Sequence, residues 1–159
     1  MGTAVFLPSG NVSTFVELVG NTMLGNAGLG LDFPHGNAVL GRTLNDAGDA
    51  DTGANGWQNH PKIETFSVSG NTFSVGYRVD SLPAHSAYPL RVDFYRSLGD
   101  EGEILLDSDV YTEAQAQTLR TVALTVPPGV TASSVSTPRH LPSPNSRPNP
   151  RPACRWKWK

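Results

Sequence analysis

The sequence predicts an all-β chain, on three observations. Sixteen glycines and thirteen prolines among 159 residues call for many turns. Several segments alternate apolar and polar residues with period two, the pattern of half-buried antiparallel strands. Near the start, short apolar groups are separated by Gly-Asn pairs at Gly10-Asn11, Gly20-Asn21, Gly25-Asn26 and Gly36-Asn37. Strands of two to four residues with Gly or Asn at each corner suit a coil of stacked rungs, because both residues tolerate positive φ. A Gly-rich loop is the alternative reading of that pattern. Four regions follow: terminal rungs over 1–44, an Asp/Asn/Gly-rich loop over 45–62, an antiparallel β-sandwich over 63–132 and a basic, proline-rich tail over 133–159.

The sandwich strands come from alternation. Phe73, Val75, Tyr77 and Val79 share one face. Leu90, Val92 and Phe94 alternate with Arg91, Asp93 and Tyr95, and Val122, Leu124 and Val126 with Thr121, Ala123 and Thr125. Ile63 to Ser69 and Glu103 to Ser108 bring the number to about five strands. Gly70-Asn71 is a hairpin turn signal. Residues 113–119 allow one helical turn.

The charge is asymmetric. Residues 1–132 hold 6 Lys+Arg and 14 Asp+Glu, hence 6 − 14 = −8; residues 133–159 hold 6 Lys+Arg and no acid, hence +6. The tail has 6 of the 13 prolines and almost no aliphatic residue. Too little apolar area is available there to offset ordering entropy, so disorder is expected. Cys154 to Lys159 has the composition of a cationic-aromatic membrane or nucleic-acid contact. The plainer reading is an accidental extension, since it begins where a sandwich should continue with one more strand. No nucleic-acid partner is expected, and with one cysteine there is no intrachain disulfide. No apolar run is long enough for a transmembrane helix. The first ten residues do not read as a signal peptide, so an export signal is expected upstream.

One constellation carries chemistry. From Asn45 to Asn55, the side chains of Asp46, Asp49, Asp51 and Asn55 offer oxygens, while Gly48, Gly53 and Gly56 let the chain fold back. Calcium prefers six to eight such oxygens, and crowded carboxylates repel one another without a cation or water between them. Asp49, Asp51, Gly53 and Asn55 match the start of an EF-hand loop, but His60 stands where its final Glu belongs. The expectation is a general Asp-rich loop with a structural Ca²⁺, with a solvated acidic linker as the alternative. Asp32 and Asn45 are weaker candidate ligands. Gln58 and Asn59 are alternatively backbone caps at the junction, and Trp57 is expected to pack over the end of a core. Nucleophile-elbow, zinc-protease, P-loop and dinucleotide motifs are absent from the sequence. His35, His60, His85 and His140 have no second ligand at metal spacing. No catalytic residue and no organic cofactor is expected.

The run Gly20 to Asp32, followed by Asn45-Asp46-Ala47-Gly48-Asp49-Ala50-Asp51-Thr52-Gly53 and Asn55-Gly56-Trp57-Gln58-Asn59-His60-Pro61, resembles the C-terminal end of bacterial right-handed parallel β-helix repeat proteins of the CSLREA type. Leu90-Arg91-Val92-Asp93-Phe94-Tyr95 is similar in position and character to a strand of the Ig-like sandwich that follows the helix in them. The resemblance covers roughly residues 15–130. It implies terminal β-helix rungs, an Ig-like sandwich whose last strand is lost, and an extracellular or cell-surface location. It supplies no reaction, because parallel β-helices include lyases, hydrolases and adhesins.

The expectation is a non-catalytic secreted or surface module for adhesion, with an extracellular glycan or surface protein as partner. The alternatives are the accessory C-terminal part of a polysaccharide lyase or hydrolase, and a glycan-binding sandwich using Trp57 or Tyr88.

Overall fold

The computed structural model describes residues 5–6, 21–23, 25, 31–32, 44–97, 104–125 and 151–157. Among them the chain is all-β with two short 3-10 turns, Ala54–Trp57 and Glu113–Gln115. Strands β1 (Val5–Phe6) and β2 (Leu31–Asp32) pair in parallel, with Val5 opposite Leu31 and Phe6 opposite Asp32. Most of the expected rung region, 7–20, 26–30 and 33–43, lies outside the described residues, as do His35 and His140.

Six further strands form two antiparallel three-stranded sheets. The first has the order β3 (Lys62–Ser69), β4 (Thr72–Arg78), β7 (Arg120–Thr125); the second has the order β6 (Ile104–Tyr111), β5 (Leu90–Ser97), β8 (Arg151–Lys157). Gly70 joins β3 to β4 at φ 57, a conformation that costs glycine nothing. At Gly76 the approach of β3 fixes the residue type, because a Cβ there would lie 2.0 Å from Thr65 Oγ1, beside the register shift between Ile63 and Thr65.

The sheets face each other across one core. Phe73, Val75 and Tyr77 from β4 and Leu124 from β7 meet Leu90, Val92 and Phe94 from β5 and Tyr111 from β6, and Val79 closes the end. The Tyr77 ring packs edge-on against Phe94 at 5.5 Å and tilted against Tyr111 at 5.6 Å. Burying these side chains gives each about 1.5–3 kcal/mol. The face of β4 named from the alternation is the buried one. On β5 alternation understates burial, since Asp93 and Tyr95 are buried on the opposite face as well.

A polar clamp joins the sheets. Tyr77 Oη donates to Asp109 Oδ2 at 2.7 Å, and Arg120 grips the same carboxylate with Nε on Oδ2 and Nη2 on Oδ1, the latter at 2.7 Å. Burial and the Asp109 contact together push the Tyr77 phenol well above its ordinary value. Burial alone would raise the Asp109 carboxyl; the Arg120 and Tyr77 hydrogen bonds outweigh it and hold the group below the usual range.

The expectation of disorder throughout 133–159 needs correcting at its end. Arg151–Lys157 runs antiparallel to β5, from Arg91 opposite Lys157 to Ser97 opposite Arg151. The expectation weighed apolar burial alone. An unpaired strand edge also offers a row of backbone donors and acceptors, which a polar segment satisfies as well as an apolar one. Residues 126–150 lie outside the described residues.

Candidate functional site

The loop of 45–61 is held to the sandwich by side chains acting in place of a strand partner. Asn45 and His60 exchange two bonds, Asn45 Nδ2 to the His60 carbonyl at 2.7 Å and the His60 N–H to Asn45 Oδ1 at 2.8 Å. Asp46 and Asn59 repeat the exchange one step in. The Asp46 N–H donates to Asn59 Oδ1 at 2.9 Å and Asn59 Nδ2 donates to the Asp46 carbonyl at 2.7 Å. Asn59 Nδ2 also reaches the Asp80 carbonyl at 2.5 Å, which ties the loop to the end of β4. Asn59 therefore caps backbone groups at the junction, as one reading of the sequence had it.

Between these rungs the chain turns on Gly48 and Asp49, successive residues at φ 71 and φ 64. Aspartate is among the few residue types that enter this region readily. Gly48 is also confined by Leu82, whose Cδ1 would stand 3.1 Å from an added Cβ. Its carbonyl accepts from the Leu82 N–H at 3.0 Å, and His85 Nδ1 lies 2.9 Å from the same oxygen.

This turn delivers the Asp49 side chain, 2 % exposed, into a pocket of neutral donors. Oδ1 accepts the Asn59 N–H at 2.5 Å. Oδ2 faces Gln58 Nε2 at 2.5 Å, Ser81 Oγ at 2.9 Å and Ser86 Oγ at 2.5 Å. The two hydroxyls also touch each other, and Ser86 Oγ reaches Gln58 Oε1 at 2.8 Å. Each hydroxyl has one proton, so not all of these bonds form at once. Three potential donors thus face Oδ2 and one faces Oδ1.

Asp46 is employed differently. Its Oδ2 accepts the N–H groups of Ala50 at 2.9 Å and Asp51 at 3.2 Å, while its Oδ1 is buried with no hydrogen-bond partner. Oxygens of Asp46, Asp49 and Asp51 lie within 4.8 Å of one another. Among the described residues neither Asp46 nor Asp49 forms an ion pair. Asp46 also borders an open cleft of about 780 Å³ shared with Lys62, Glu64, Arg78 and Asp80.

The structure thus brings three of the four proposed ligands together. Asn55 falls in the 3-10 turn, and its side chain, like that of Asp32, lies outside the described residues. Asn45 is spent on His60. The Trp57 indole packs against Gly53, where an added Cβ would come within 2.3 Å of it. The Tyr88 hydroxyl donates to the Ser81 carbonyl at 2.9 Å, and its ring stacks on Tyr111 at 6.4 Å. Reading the sequence missed Ser81 and Ser86. They sit 32 and 37 positions after Asp49 in a stretch without periodicity, so no local signal ties them to it. No helix among the described residues is long and apolar enough to cross a membrane. No family model, curated protein or solved structure matches the chain.

Proposed function

We propose that the chain is a non-catalytic structural module of a secreted or cell-surface protein, in which the 45–61 loop is a rigid joint between terminal β-helix rungs and an Ig-like sandwich. Adhesion or matrix attachment is the role such a module serves, and an extracellular glycan or surface protein is the partner class. The parallel pairing of β1 with β2, 26 positions apart, supports the rung reading. Strand order supports the Ig-like reading. With β3, β4 and β7 as strands A, B and E, the second sheet follows as C′, C and F, and β8 takes the place of F beside C.

The observation that carries the proposal is the Asp46–Asp49–Asp51 cluster, three carboxylates converging within 4.8 Å where the loop meets the sandwich. Like charges at this separation repel, and neutral hydrogen bonds satisfy geometry without cancelling charge. A calcium ion bound by Asp46 and Asp51 would supply the missing positive charge and lock the joint. Asp49 is already held by hydrogen bonds from Asn59, Gln58, Ser81 and Ser86 and contributes chiefly its field. The function of such an ion is stability, which bound ligand adds by mass action.

Thermal unfolding of the full chain in excess EDTA and in millimolar Ca²⁺ tests this. At a concentration of about 100 times Kd, calcium adds about 2.7 kcal/mol, a rise of several degrees in Tm. The rise should vanish in Asp46→Asn/Asp51→Asn. An unchanged Tm in a folded chain would leave the loop a joint held by hydrogen bonds alone.

A further inference from the structure

The neutral pocket around Asp49 points to a second property, independent of calcium. Four oxygens crowd together there: Asp49 Oδ2, Ser81 Oγ, Ser86 Oγ and Gln58 Oε1. Ser81 Oγ stands 2.9 Å from Asp49 Oδ2. Ser86 Oγ stands 2.5 Å from the same oxygen and 2.8 Å from Gln58 Oε1, and the two hydroxyls touch each other. These four contacts share two hydroxyl protons, because a carboxylate and a carboxamide oxygen bring none. At least two oxygen pairs therefore meet with no proton between them.

The same atoms are the reactants of an acyl transfer. Ser86 Oγ is a nucleophile and the Gln58 carboxamide an acyl donor. Asp49 Oδ2 lies 2.5 Å from the hydroxyl that must lose a proton and 2.5 Å from the Nε2 that must gain one. That is the placement asked of a group serving first as general base and then as general acid. Ser86, not Ser81, is the hydroxyl in contact with Gln58, and His85 has its Nδ1 on the Gly48 carbonyl instead. Holding nucleophile and acyl group together replaces a bimolecular encounter by an intramolecular one.

We infer that Ser86 and Gln58 are a self-modification site, at which their side chains join as an ester. Ser86 Oγ gives its proton to Asp49 Oδ2 and bonds to Gln58 Cδ. The bond from Cδ to Nε2 then breaks, Asp49 returns the proton to Nε2, and one ammonia leaves. No oxidant or co-reactant is consumed. Asp49 and Ser81 are 2 % and 0 % exposed, which keeps water from the base, while half-buried Ser86 and Gln58 leave ammonia a way out. The cross-link spans 28 positions and fastens the 45–61 loop covalently to the segment leading into β5. Like a disulfide, it stabilises by constraining the unfolded chain.

Intact mass and tryptic mapping of the full chain test the bond. The expected mass is that of the sequence less one ammonia. Trypsin cuts after Arg42, Lys62, Arg78 and Arg91, which puts Gln58 and Ser86 on peptides 43–62 and 79–91. The two should run as one species and separate in hydroxylamine, as an ester does. Ser86→Ala and Gln58→Ala should each give the full mass and two peptides, whereas Ser86→Thr keeps a hydroxyl and should stay linked. Asp49→Asn, which cannot take up the proton, should link about a hundredfold more slowly. Hydrogen exchange at Thr72–Tyr77 checks that each chain is folded. Separate peptides from the folded wild type overturn the inference, as does linkage that persists in Ser86→Ala or an ammonia loss confined to peptide 43–62. Linkage as fast in Asp49→Asn as in wild type overturns the role of Asp49.

Discussion

Asp49 and Asp109 are both drawn away from solvent, and the chain satisfies them by opposite means. Asp109 lies between the sheets with an arginine on both its oxygens and a phenol on one. Its charge is cancelled where it sits. Asp49 lies under the loop with an amide N–H, a carboxamide and two hydroxyls, and no cationic side chain pairs with it among the described residues. The contrast separates two requirements that are easily merged. Hydrogen-bond satisfaction is met at both sites, while charge compensation is met only at Asp109. The loop is therefore where an added cation has something to gain, and the inter-sheet clamp is where it has nothing.

Removing the Asp49 carboxylate is expected to have the largest effect. Asp49→Ala leaves buried donors from Asn59, Gln58, Ser81 and Ser86 without an acceptor, at a cost of about 3–5 kcal/mol by urea unfolding. A loss below about 1 kcal/mol would mean the loop is not anchored through Asp49. Gly48→Ala should cost about 1–2 kcal/mol, because alanine must adopt positive φ while its Cβ meets Leu82. Tyr77→Phe should cost about 1 kcal/mol, one hydrogen bond to a carboxylate that keeps its arginine.

The pH dependence sharpens the contrast further. Asp109 titrates lower in the folded chain than in the unfolded one, so the folded state binds fewer protons there. Its stabilisation is complete above the unfolded value of about 3.9 and is lost as pH falls through the folded value. Tyr77 is shifted the other way. Its neutral form is favoured on folding, so that stability is whole below about pH 10 and declines above it. Denaturant titrations should find a shallower acid limb in Arg120→Met and a shallower alkaline limb in Tyr77→Phe. Identical limbs in wild type and variants would mean that other groups govern both ends.

The sandwich strands were legible because a half-buried strand writes its burial into every second residue. Phe73, Val75, Tyr77 and Leu124 needed no partner to be identified as core. The Gly70-Asn71 hairpin was legible for a similarly local reason. The three aspartates of the loop were visible as a cluster because only a few positions separate them. Their different tasks were not visible. Asp49 and Asp51 look equivalent along the chain, and what makes Asp49 a buried anchor is Ser81 and Ser86, which arrive from the far end of β4. Nor did anything near Asp109 announce Tyr77 and Arg120, since partners on three strands are brought together only by the stacking of the sheets.

The all-β class, the core face of β4, the turn and the acidic cluster all follow from steric and hydrophobic rules acting over a few residues. Tertiary contacts set which aspartate is buried among neutral donors, which is matched by an arginine, and that the basic segment at 151–157 lies along β5. Those outcomes depend on hydrogen bonds and ion pairs between residues distant in sequence, and on an open strand edge that accepts a backbone with little regard for its side chains.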